Sequence, residues 1–325
     1  MGKRLAILRA GDRTARAVAA HSRAALDRPL AHPGELWVAV VRDEAVVVGA
    51  FERALEPLAG ANVEGAVPLP PRLRRGSGGP SVRVGPGTVH VALSLSHPGA
   101  LTASDEKRIV NRSVRPLLRA LTRVGALAHF FGRDWVSVHH RPAAWVGFAH
   151  DATTRRTLFE AFVAVRTPFA DARPSFLGKA PGALDAIVGA RIDPQRLVEA
   201  IIQAYPSAWA ADAVEIAPPE PPAGDGDVLA EPPWAATSEE AIGLLGAGPD
   251  AGGVFRVGGE LLVSRDALAR LEARVVEAAV DDVGRVVDEA LAAPGVALDG
   301  VRSLDSVRDV ILRALQARPR SETPP

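Results

Sequence analysis

Residues 74–79 read Arg-Arg-Gly-Ser-Gly-Gly, and this stretch, the Arg-Arg loop, decides how the rest of the chain is interpreted. Arginine can hold a phosphate or carboxylate through two parallel hydrogen bonds, and glycine lets backbone N–H groups approach a bound anion closely. Strand-like residues at 81–84 and 89–93 follow the loop, separated by a Gly-Pro-Gly turn. The pattern predicts an anion-binding loop on a β-sheet, with a solvated basic surface loop as the alternative.

Composition limits the classes of function that remain. With 325 residues, of which 47% are hydrophobic, the chain can bury a large core and is expected to form two domains. The formal net charge of zero argues against a general nucleic-acid or membrane-surface binder. The absence of cysteine excludes disulfides, thiolate metal sites and a cysteine nucleophile. Without a signal peptide or a long apolar stretch, we expect a cytoplasmic monomer.

Hydrophobic periodicity predicts a mixture of helices and strands. Apolar residues at helical spacing indicate helices over 13–26, from a cap at Ser104 to Val124, and after a cap at Asp193. Residues 36–41 and 45–48 flank a polar turn, which predicts that they pair as a hairpin. Because hairpins and helices do not alternate regularly, we expect an α+β fold with a mixed or antiparallel β-sheet and flanking helices.

Proline and glycine mark a boundary in the second half of the chain. Residues 215–237 contain Pro-Pro-Glu-Pro-Pro and Gly-Asp-Gly, which predict a linker. The expected units are a catalytic-type domain over 1–214, a small α+β accessory domain over 238–317 and a disordered polar tail over 318–325. Few contacts are expected across the linker, so limited proteolysis should release two folded pieces.

Three stretches together resemble a known family. Strand-like 36–38 and 46–49 precede the Arg-Arg loop, and Gly132-Arg133-Asp134 follows it. This order resembles the lipoate–protein ligases, which have the biotin/lipoate ligase fold, an RRxSGG loop, a GRND turn and a Lys-x-x-Gly-Ser-Ala strand. The resemblance covers residues 5–205, and the accessory domain is similar to that of the longer ligases. The chain is therefore identified as a divergent member of this family.

The resemblance implies ATP-dependent activation of lipoate or octanoate to an acyl-adenylate, with Mg²⁺, and transfer of the acyl group to a lysine. The acceptors would be lipoyl carrier domains of 2-oxoacid dehydrogenase complexes or the glycine cleavage H protein. Arg75 would neutralise the carboxylate or α-phosphate, and an exposed Arg75 is expected. The residues implied to bind substrate or nucleotide are Arg75, Ser77, Gly78, Gly79, Arg133, Asp134 and Gly147.

The chain also departs from the family pattern. Asp134 stands where the GRND turn has asparagine, and Pro80 removes a backbone N–H after the loop. Alignment of Gly147 with the family glycine puts Ala144 where the adenylate-binding lysine stands, and a methyl group cannot hold phosphate oxygens. Arg141 and Lys179 are the candidate catalytic replacements, and Ala144→Lys is expected to raise adenylate formation at least about tenfold.

Two hypotheses therefore remain open. The first is a divergent lipoate–protein ligase, and the second is a non-catalytic protein that binds an acyl ligand or a lipoyl carrier domain. His139, His140 and His150 do not predict a metal site, because adjacent strand residues point to opposite faces.

Overall fold

The structure is a computed structural model that describes residues 3–54, 70–132, 134–169, 179–220, 228 and 230–317. Within these ranges the fold is α+β, as predicted, with one large mixed sheet, two three-stranded sheets and seven α-helices. The candidate tail and part of the candidate linker lie outside the described residues.

The large sheet contains ten strands. In chain order they are Arg4–Arg13 (β1), Gly34–Val41 (β2), Val89–Leu95 (β6), Ala128–Phe130 (β7), Trp135–Val138 (β8), Arg141–His150 (β9), Thr157–Val163 (β10), Asp212–Glu215 (β11), Leu262–Ser264 (β15) and Leu298–Asp299 (β16). The two smaller sheets are built from Ala45–Val48 (β3), Arg72–Arg74 (β4) and Val82–Val84 (β5), and from Ala236–Glu239 (β12), Leu244–Pro249 (β13) and Phe255–Gly259 (β14).

The helices lie on both faces of the large sheet and in the C-terminal region. They are Ala15–Ala24 (α1), Ile109–Arg123 (α2), Leu184–Val188 (α3), Pro194–Trp209 (α4), Arg265–Val275 (α5), Val283–Leu291 (α6) and Leu304–Gln316 (α7), with a 3₁₀ turn at Val280–Asp282. None of the helices in the described ranges has both the length and the apolar character needed to cross a bilayer.

The large sheet runs in the order β11-β1-β2-β6-β10-β9-β15-β16, and β8 and β7 extend it beyond the first half of β9. The outer edge of β9 is therefore divided between two partners. β8 pairs with it from Arg141 to Trp145, and β15 pairs with it at Ala149 and His150. Residues 146–148 lie between these two pairings, and this gap positions the candidate site.

The two faces of the large sheet pack against different elements. Alternation along β9 sends Val146 and Phe148 into an apolar layer with α2 and α4, whereas Trp145 and Ala149 face the layer that holds α1 and the sheet of β3, β4 and β5. We call these the α2 face and the α1 face. The Arg-Arg loop lies on the α1 face.

Sequence patterns located α4 well and α2 less well. The Asp193 carboxylate accepts a hydrogen bond from the Gln195 N–H at 3.2 Å, which confirms the predicted cap of α4. α2 begins at Ile109, so the predicted start at Ser104 is wrong. The Ser104 hydroxyl donates to the carbonyl of Asp105 and caps no helical N–H, because residues 106–108 form a turn before the helix.

The predicted hairpin of 36–41 and 45–48 is also wrong. β2 is paired on both edges, with β1 in parallel and β6 in antiparallel orientation, so no edge remains for β3. β3 instead pairs with β4 and β5 in a separate small sheet. β4 is an edge strand of that sheet, which agrees with the prolines that precede it.

The C-terminal region is tied to the rest of the chain, so the expectation of few contacts is wrong. β15 joins the large sheet, and the Gly259 N–H donates to the carbonyl of Phe51 at 2.7 Å. The Arg265 guanidinium forms ion pairs with Asp27 at 2.7 Å and with Asp151 at 3.0 Å. These bonds connect the two regions away from the linker, and the domain limits themselves stay a prediction.

Candidate functional site

The floor of the candidate site is a row of four residues across the α1 face. Trp37 lies opposite Ala92, Ala92 opposite Glu160, and Glu160 opposite Gly147, on strands β2, β6, β10 and β9. Directly opposed residues share a sheet face, so this row is contiguous. It combines two small residues with a buried carboxylate, an arrangement that leaves room above Ala92 and Gly147.

The Arg-Arg loop fills the space above Gly147. A Cβ atom built at Gly147 would overlap the Ser77 hydroxyl and lie 2.9 Å from the Gly78 carbonyl oxygen. The loop can approach this closely only because Gly147 has no side chain. The structure thus brings together Ser77, Gly78, Gly79 and Gly147, four of the residues that the sequence predicted for ligand binding.

The glycine amides of the loop are engaged in backbone hydrogen bonds. The Gly78 N–H donates to the carbonyl of Phe148 at 2.8 Å, within the gap between β8 and β15. The Gly79 N–H donates to the carbonyl of Leu261 at 2.9 Å, just before β15 begins. The loop therefore completes the hydrogen bonding of the outer edge of β9 and connects it to the C-terminal region.

Arg75 is buried, with 2% of its surface exposed, so the predicted exposure is wrong. Its Nη2 donates to the carbonyls of Gly78 at 2.8 Å and Pro80 at 2.9 Å, and its Nη1 donates to Val47 at 3.1 Å. Its Nε donates to the Ser77 hydroxyl at 3.0 Å. Guanidinium has five N–H donors in a flat fork, and four bonds to the protein hold the loop in shape around it.

A hydrogen-bonded chain of buried groups supports the loop from below. The Gly76 N–H donates to the Ser22 hydroxyl at 2.7 Å, and that hydroxyl donates to the Glu160 carboxylate at 2.7 Å. The second oxygen of Glu160 lies 2.8 Å from His90 Nε2. Burial alone would raise the pKa of Glu160, but its hydrogen bond to His90 and the charges of His90 and Arg75 outweigh burial and lower it to about 2.

The sequence reasoning missed this chain of buried groups. Its signal was a single acidic residue, Glu160, in the otherwise apolar run 158–165, and a histidine, His90, in the apolar run 89–93. A charged residue inside a buried strand is almost never left unpaired. Glu160 and His90, each inside an apolar strand, are therefore expected to lie close together and pair.

His21 extends the buried polar region towards β2. Its ring stacks on Trp37 with 3.8 Å between centroids. Burial lowers the pKa of His21 to about 3, helped by the positive charges of His90 and Arg28. His21 is therefore neutral in the folded protein at neutral pH. Two neighbouring nitrogen atoms, Trp37 Nε1 and His90 Nδ1, are buried and have no hydrogen-bond partner within the described residues.

Acid is expected to destabilise the protein in two overlapping stages. The unfolded chain protonates His21 near pH 6.5 and the folded protein only near pH 3, so stability falls as the pH drops from 6.5 towards 3. The contribution of Glu160 is lost as the pH falls from about 4.5 towards 2. Between pH 6.5 and 4.5 we therefore expect His21 to contribute ~2–3 kcal/mol to the loss of stability, and His150, whose pKa is also lowered by burial, to add to it.

Urea unfolding of His21→Phe at pH 6.5 and 4.5 tests the first stage, since phenylalanine keeps the stack on Trp37 and cannot be protonated. Val18→Ala, a buried change on the same helix, is the matched control and should keep the full pH dependence. An undiminished pH dependence in His21→Phe contradicts the assignment.

Ala144 does not face the candidate site, so the premise for expecting Ala144→Lys to raise adenylate formation is wrong. It lies three residues before Gly147 on β9 and is 1% exposed, in the apolar layer of the α2 face. Strand side chains alternate between faces, and residues three apart therefore point to opposite sides. A lysine at this position would point away from the loop.

Of the two candidate catalytic cations, Lys179 lies on the side of the site and Arg141 at one end of β9. The ammonium of Lys179 lies 5.8 Å from the centre of the Trp135 ring, and Trp135 is directly opposite Trp145 on the α1 face. Arg141 is exposed, and its guanidinium donates to the carbonyls of Ala180 at 3.3 Å and Pro181 at 2.9 Å. Within the described residues, no hydrogen bond or ion pair joins either cation to the Arg-Arg loop.

The remaining predicted positions are distributed around β8. Asp134 is fully buried, and its backbone carbonyl accepts from the Val146 N–H at 2.7 Å. Arg133 lies outside the described residues. His139 and His140 form the β8–β9 turn, with φ angles of 47° and 63°, so they are not strand residues as the sequence suggested. Among the described residues, no cluster of three or more histidine or acidic side chains is arranged to hold a metal ion.

The arrangement does not fit ATP and Mg²⁺ at the Arg-Arg loop. Phosphate binding needs donors that point outward, whereas Arg75, Gly78 and Gly79 all donate to acceptors of the protein. An acyl chain needs an apolar slot, whereas the space above the floor holds Ser22, Ser77 and the Glu160 carboxylate. The loop acts here as a structural element of the sheet edge.

Solved structures with a similar fold are lipoate–protein ligases. A bipartite lipoate protein ligase from Thermoplasma acidophilum, described with its E2 lipoyl domain, has a TM-score of 0.52 and 17% identity over 68% of this chain and 88% of its own. Lipoate-protein ligase A bound with ATP has a TM-score of 0.51 and 15% identity over 68% of this chain and 90% of its own. LipL1 from P. falciparum, in complex with lipoate, has a TM-score of 0.62 and 12% identity over 96% of this chain and 100% of its own.

These similarities show that the chain has the fold of lipoate–protein ligases, and the likeness to LipL1 extends into the C-terminal region. At such low identities they establish the fold alone. No family model matches the sequence, and a search of curated proteins gives no match.

Proposed function

We propose that this protein binds a lipoyl carrier domain and does not activate an acyl group. The proposed partners are the lipoyl carrier domains of 2-oxoacid dehydrogenase complexes or the glycine cleavage H protein, bound in the cytoplasm. The proposal combines the ligase fold, shared with a T. acidophilum ligase described with its E2 lipoyl domain, with a loop whose donors are used inside the protein.

The single observation that carries the proposal is the internal bonding of the Arg-Arg loop. Transition-state stabilisation requires donors aimed at the position where charge develops. The donors of Arg75 and the two glycine amides are aimed at the carbonyls of Val47, Gly78, Pro80, Phe148 and Leu261 instead. Binding of a folded domain requires a complementary outer surface and no donors aimed at a reacting group.

Two measurements on the full-length protein test the proposal. ATP–pyrophosphate exchange with lipoate, octanoate and biotin should stay at the level of a heat-denatured control. Calorimetry should show binding of lipoylated and unlipoylated carrier domains, and no binding of free lipoate or octanoate. If only the free acids bind, the ligand of the protein is an acyl group and not a carrier domain. ATP–pyrophosphate exchange with lipoate would contradict the proposal.

One observation favours the ligase as a second candidate. Lys179 places an ammonium beside Trp135 on the α1 face, where it could meet an acyl-adenylate if the Arg-Arg loop rearranged. A ligase should then lose exchange activity in Lys179→Ala and keep it in Lys107→Ala, a matched change at an exposed lysine. Loss of exchange activity in Arg141→Ala, together with retained activity in Lys179→Ala, would assign the role of the catalytic cation to Arg141.

A further inference from the structure

A row of arginines runs along the solvent side of α2. The row, which we call the arginine stripe, consists of Arg108, Arg112, Arg115, Arg119 and Arg123. Their spacing of three or four residues places them on one face of the helix. Over the 15 residues of α2 such a face is ~22 Å long.

The opposite face of α2 fixes which side the stripe occupies. Ile109, Val114, Leu117 and Leu121 are fully buried in the layer between α2, α4 and the large sheet. With that side packed, the stripe can only point outward, and Arg115, Arg119 and Arg123 are exposed. The stripe thus lies on the side of the sheet opposite the Arg-Arg loop.

Among the described residues, four of the five arginines form no ion pair. Arg108 forms a long one of 3.6 Å with Asp105. No ion pair or side-chain hydrogen bond is formed by Arg112, Arg115, Arg119 or Arg123 within the described ranges. Elsewhere the chain pairs its arginines repeatedly, as in Arg265 with Asp27 and Asp151. In a chain of zero net charge, the stripe is therefore a continuous row of positive charge.

Apolar groups border the stripe. Leu118 and Phe130 line a cavity of about 350 Å³ together with Arg112 and Arg115. At the C-terminal end of the stripe, Leu127 is 56% exposed and Phe131 is 65% exposed. Exposed large apolar side chains beside a charged row are typical of protein interfaces, where an apolar centre is surrounded by polar contacts.

We propose that the arginine stripe and its apolar border bind a partner protein through a helix with carboxylates every three or four residues. Such a helix repeats its charges at the same interval as α2, so several arginine–carboxylate pairs can form at once. Arginine suits this role because its flat guanidinium bonds a carboxylate bidentately. An apolar residue beside the carboxylates would contact Phe131 or enter the cavity next to Phe130. This surface is separate from the proposed carrier-binding function and does not depend on it.

The nature of the partner follows from the chemistry around the stripe. Single-stranded nucleic acid is bound by aromatic rings that stack on bases between basic residues, whereas α2 itself carries no aromatic residue between its arginines. Membrane-surface helices place bulky apolar residues on the lipid side of the same helix, whereas the apolar side of α2 is buried in the protein. An acidic protein helix fits both the charge and the border.

A synthetic helical peptide provides the probe. The acidic peptide carries glutamates at three- and four-residue spacing beside a leucine row, and the control peptide has the same composition with glutamates distributed around the helix. Fluorescence anisotropy at low salt should show binding of the acidic peptide at least about fivefold tighter than the control peptide. Raising the salt from 0.05 to 0.5 M should weaken it about tenfold or more, because exposed ion pairs are screened.

Paired variants of the full-length protein identify the surface. Arg115→Glu/Arg119→Glu should weaken binding of the acidic peptide at least about tenfold. Arg42→Glu/Arg191→Glu, a matched reversal of two exposed arginines elsewhere, should change it less than about twofold. Phe131→Ser should weaken it about threefold or more. If the charge-reversed stripe fails to fold, as judged by circular dichroism, Arg115→Gln/Arg119→Gln replaces it.

Three results would overturn the proposal. Equal binding by the stripe and control variants would show non-specific attraction, and equal binding of both peptides would show that glutamate spacing is irrelevant. Stripe-dependent binding of phosphatidylserine vesicles or an RNA duplex, without binding of the acidic peptide, would assign the surface to a membrane or a nucleic acid.

Discussion

Arg75→Ala is expected to destabilise the protein by ~3–5 kcal/mol or to prevent folding. The substitution leaves the carbonyls of Val47, Gly78 and Pro80 buried without the guanidinium that bonds them. Each buried acceptor left unpaired costs about 1–3 kcal/mol, and the removed side chain also leaves a cavity beneath the loop. Urea unfolding at pH 7 measures the change.

Two matched variants sharpen the Arg75 prediction. Arg42→Ala, at an exposed arginine after β2, should change stability by no more than ~0.5 kcal/mol. The stability of Arg75→Lys should lie between those of Arg75→Ala and Arg42→Ala, since an ammonium keeps the charge but cannot bond acceptors on several sides. If Arg75→Ala kept wild-type stability and lost ligand binding, Arg75 would belong to a binding site after all.

Ala144→Lys is expected to lower the free energy of unfolding by ~3–5 kcal/mol and to create no adenylate-forming activity. Ala144 lies opposite Val136 on one side and Val163 on the other, within the apolar layer under α2 and α4. A lysine there must either bury an ammonium without a partner or push the packed layer apart. Chemical unfolding and ATP–pyrophosphate exchange measure the two outcomes.

The same substitution at an exposed strand position is the control for Ala144→Lys. Ala213 lies on the edge strand β11 and is exposed, so Ala213→Lys should change stability by no more than ~0.5 kcal/mol. A stable Ala144→Lys protein with exchange activity would contradict the orientation of residue 144 towards the α2 face.

Local patterns in the sequence predicted the fold class and several elements. Asp193 followed by Pro194 marked the start of α4, because a cap and an N-terminal proline act within a few residues. The family resemblance assigned the Arg-Arg loop and Gly147 to substrate or nucleotide binding, and the structure places them in contact.

The role of the Arg-Arg loop could not be predicted in the same way. Arg75 and the Gly79 amide bond to the protein because the carbonyls of Val47 and Leu261 accept from them, and both carbonyls are far from the loop in sequence. Likewise, Ala144 matched a family position by counting residues, but the alternation of β9 decides which face it occupies. Spacing in the sequence alone therefore could not show what these residues contact.

The division of the outer edge of β9 has a consequence for synthesis on the ribosome. Ala149 and His150 gain their outer partners only when Val263 and Ser264 have been made, more than a hundred residues later. Until then this end of β9 is an open strand edge, which is the kind of surface that pairs with other chains. Chains that stop before Leu261 also leave the Gly79 amide without its acceptor. Truncation at the proline-rich boundary is therefore expected to yield an aggregation-prone fragment.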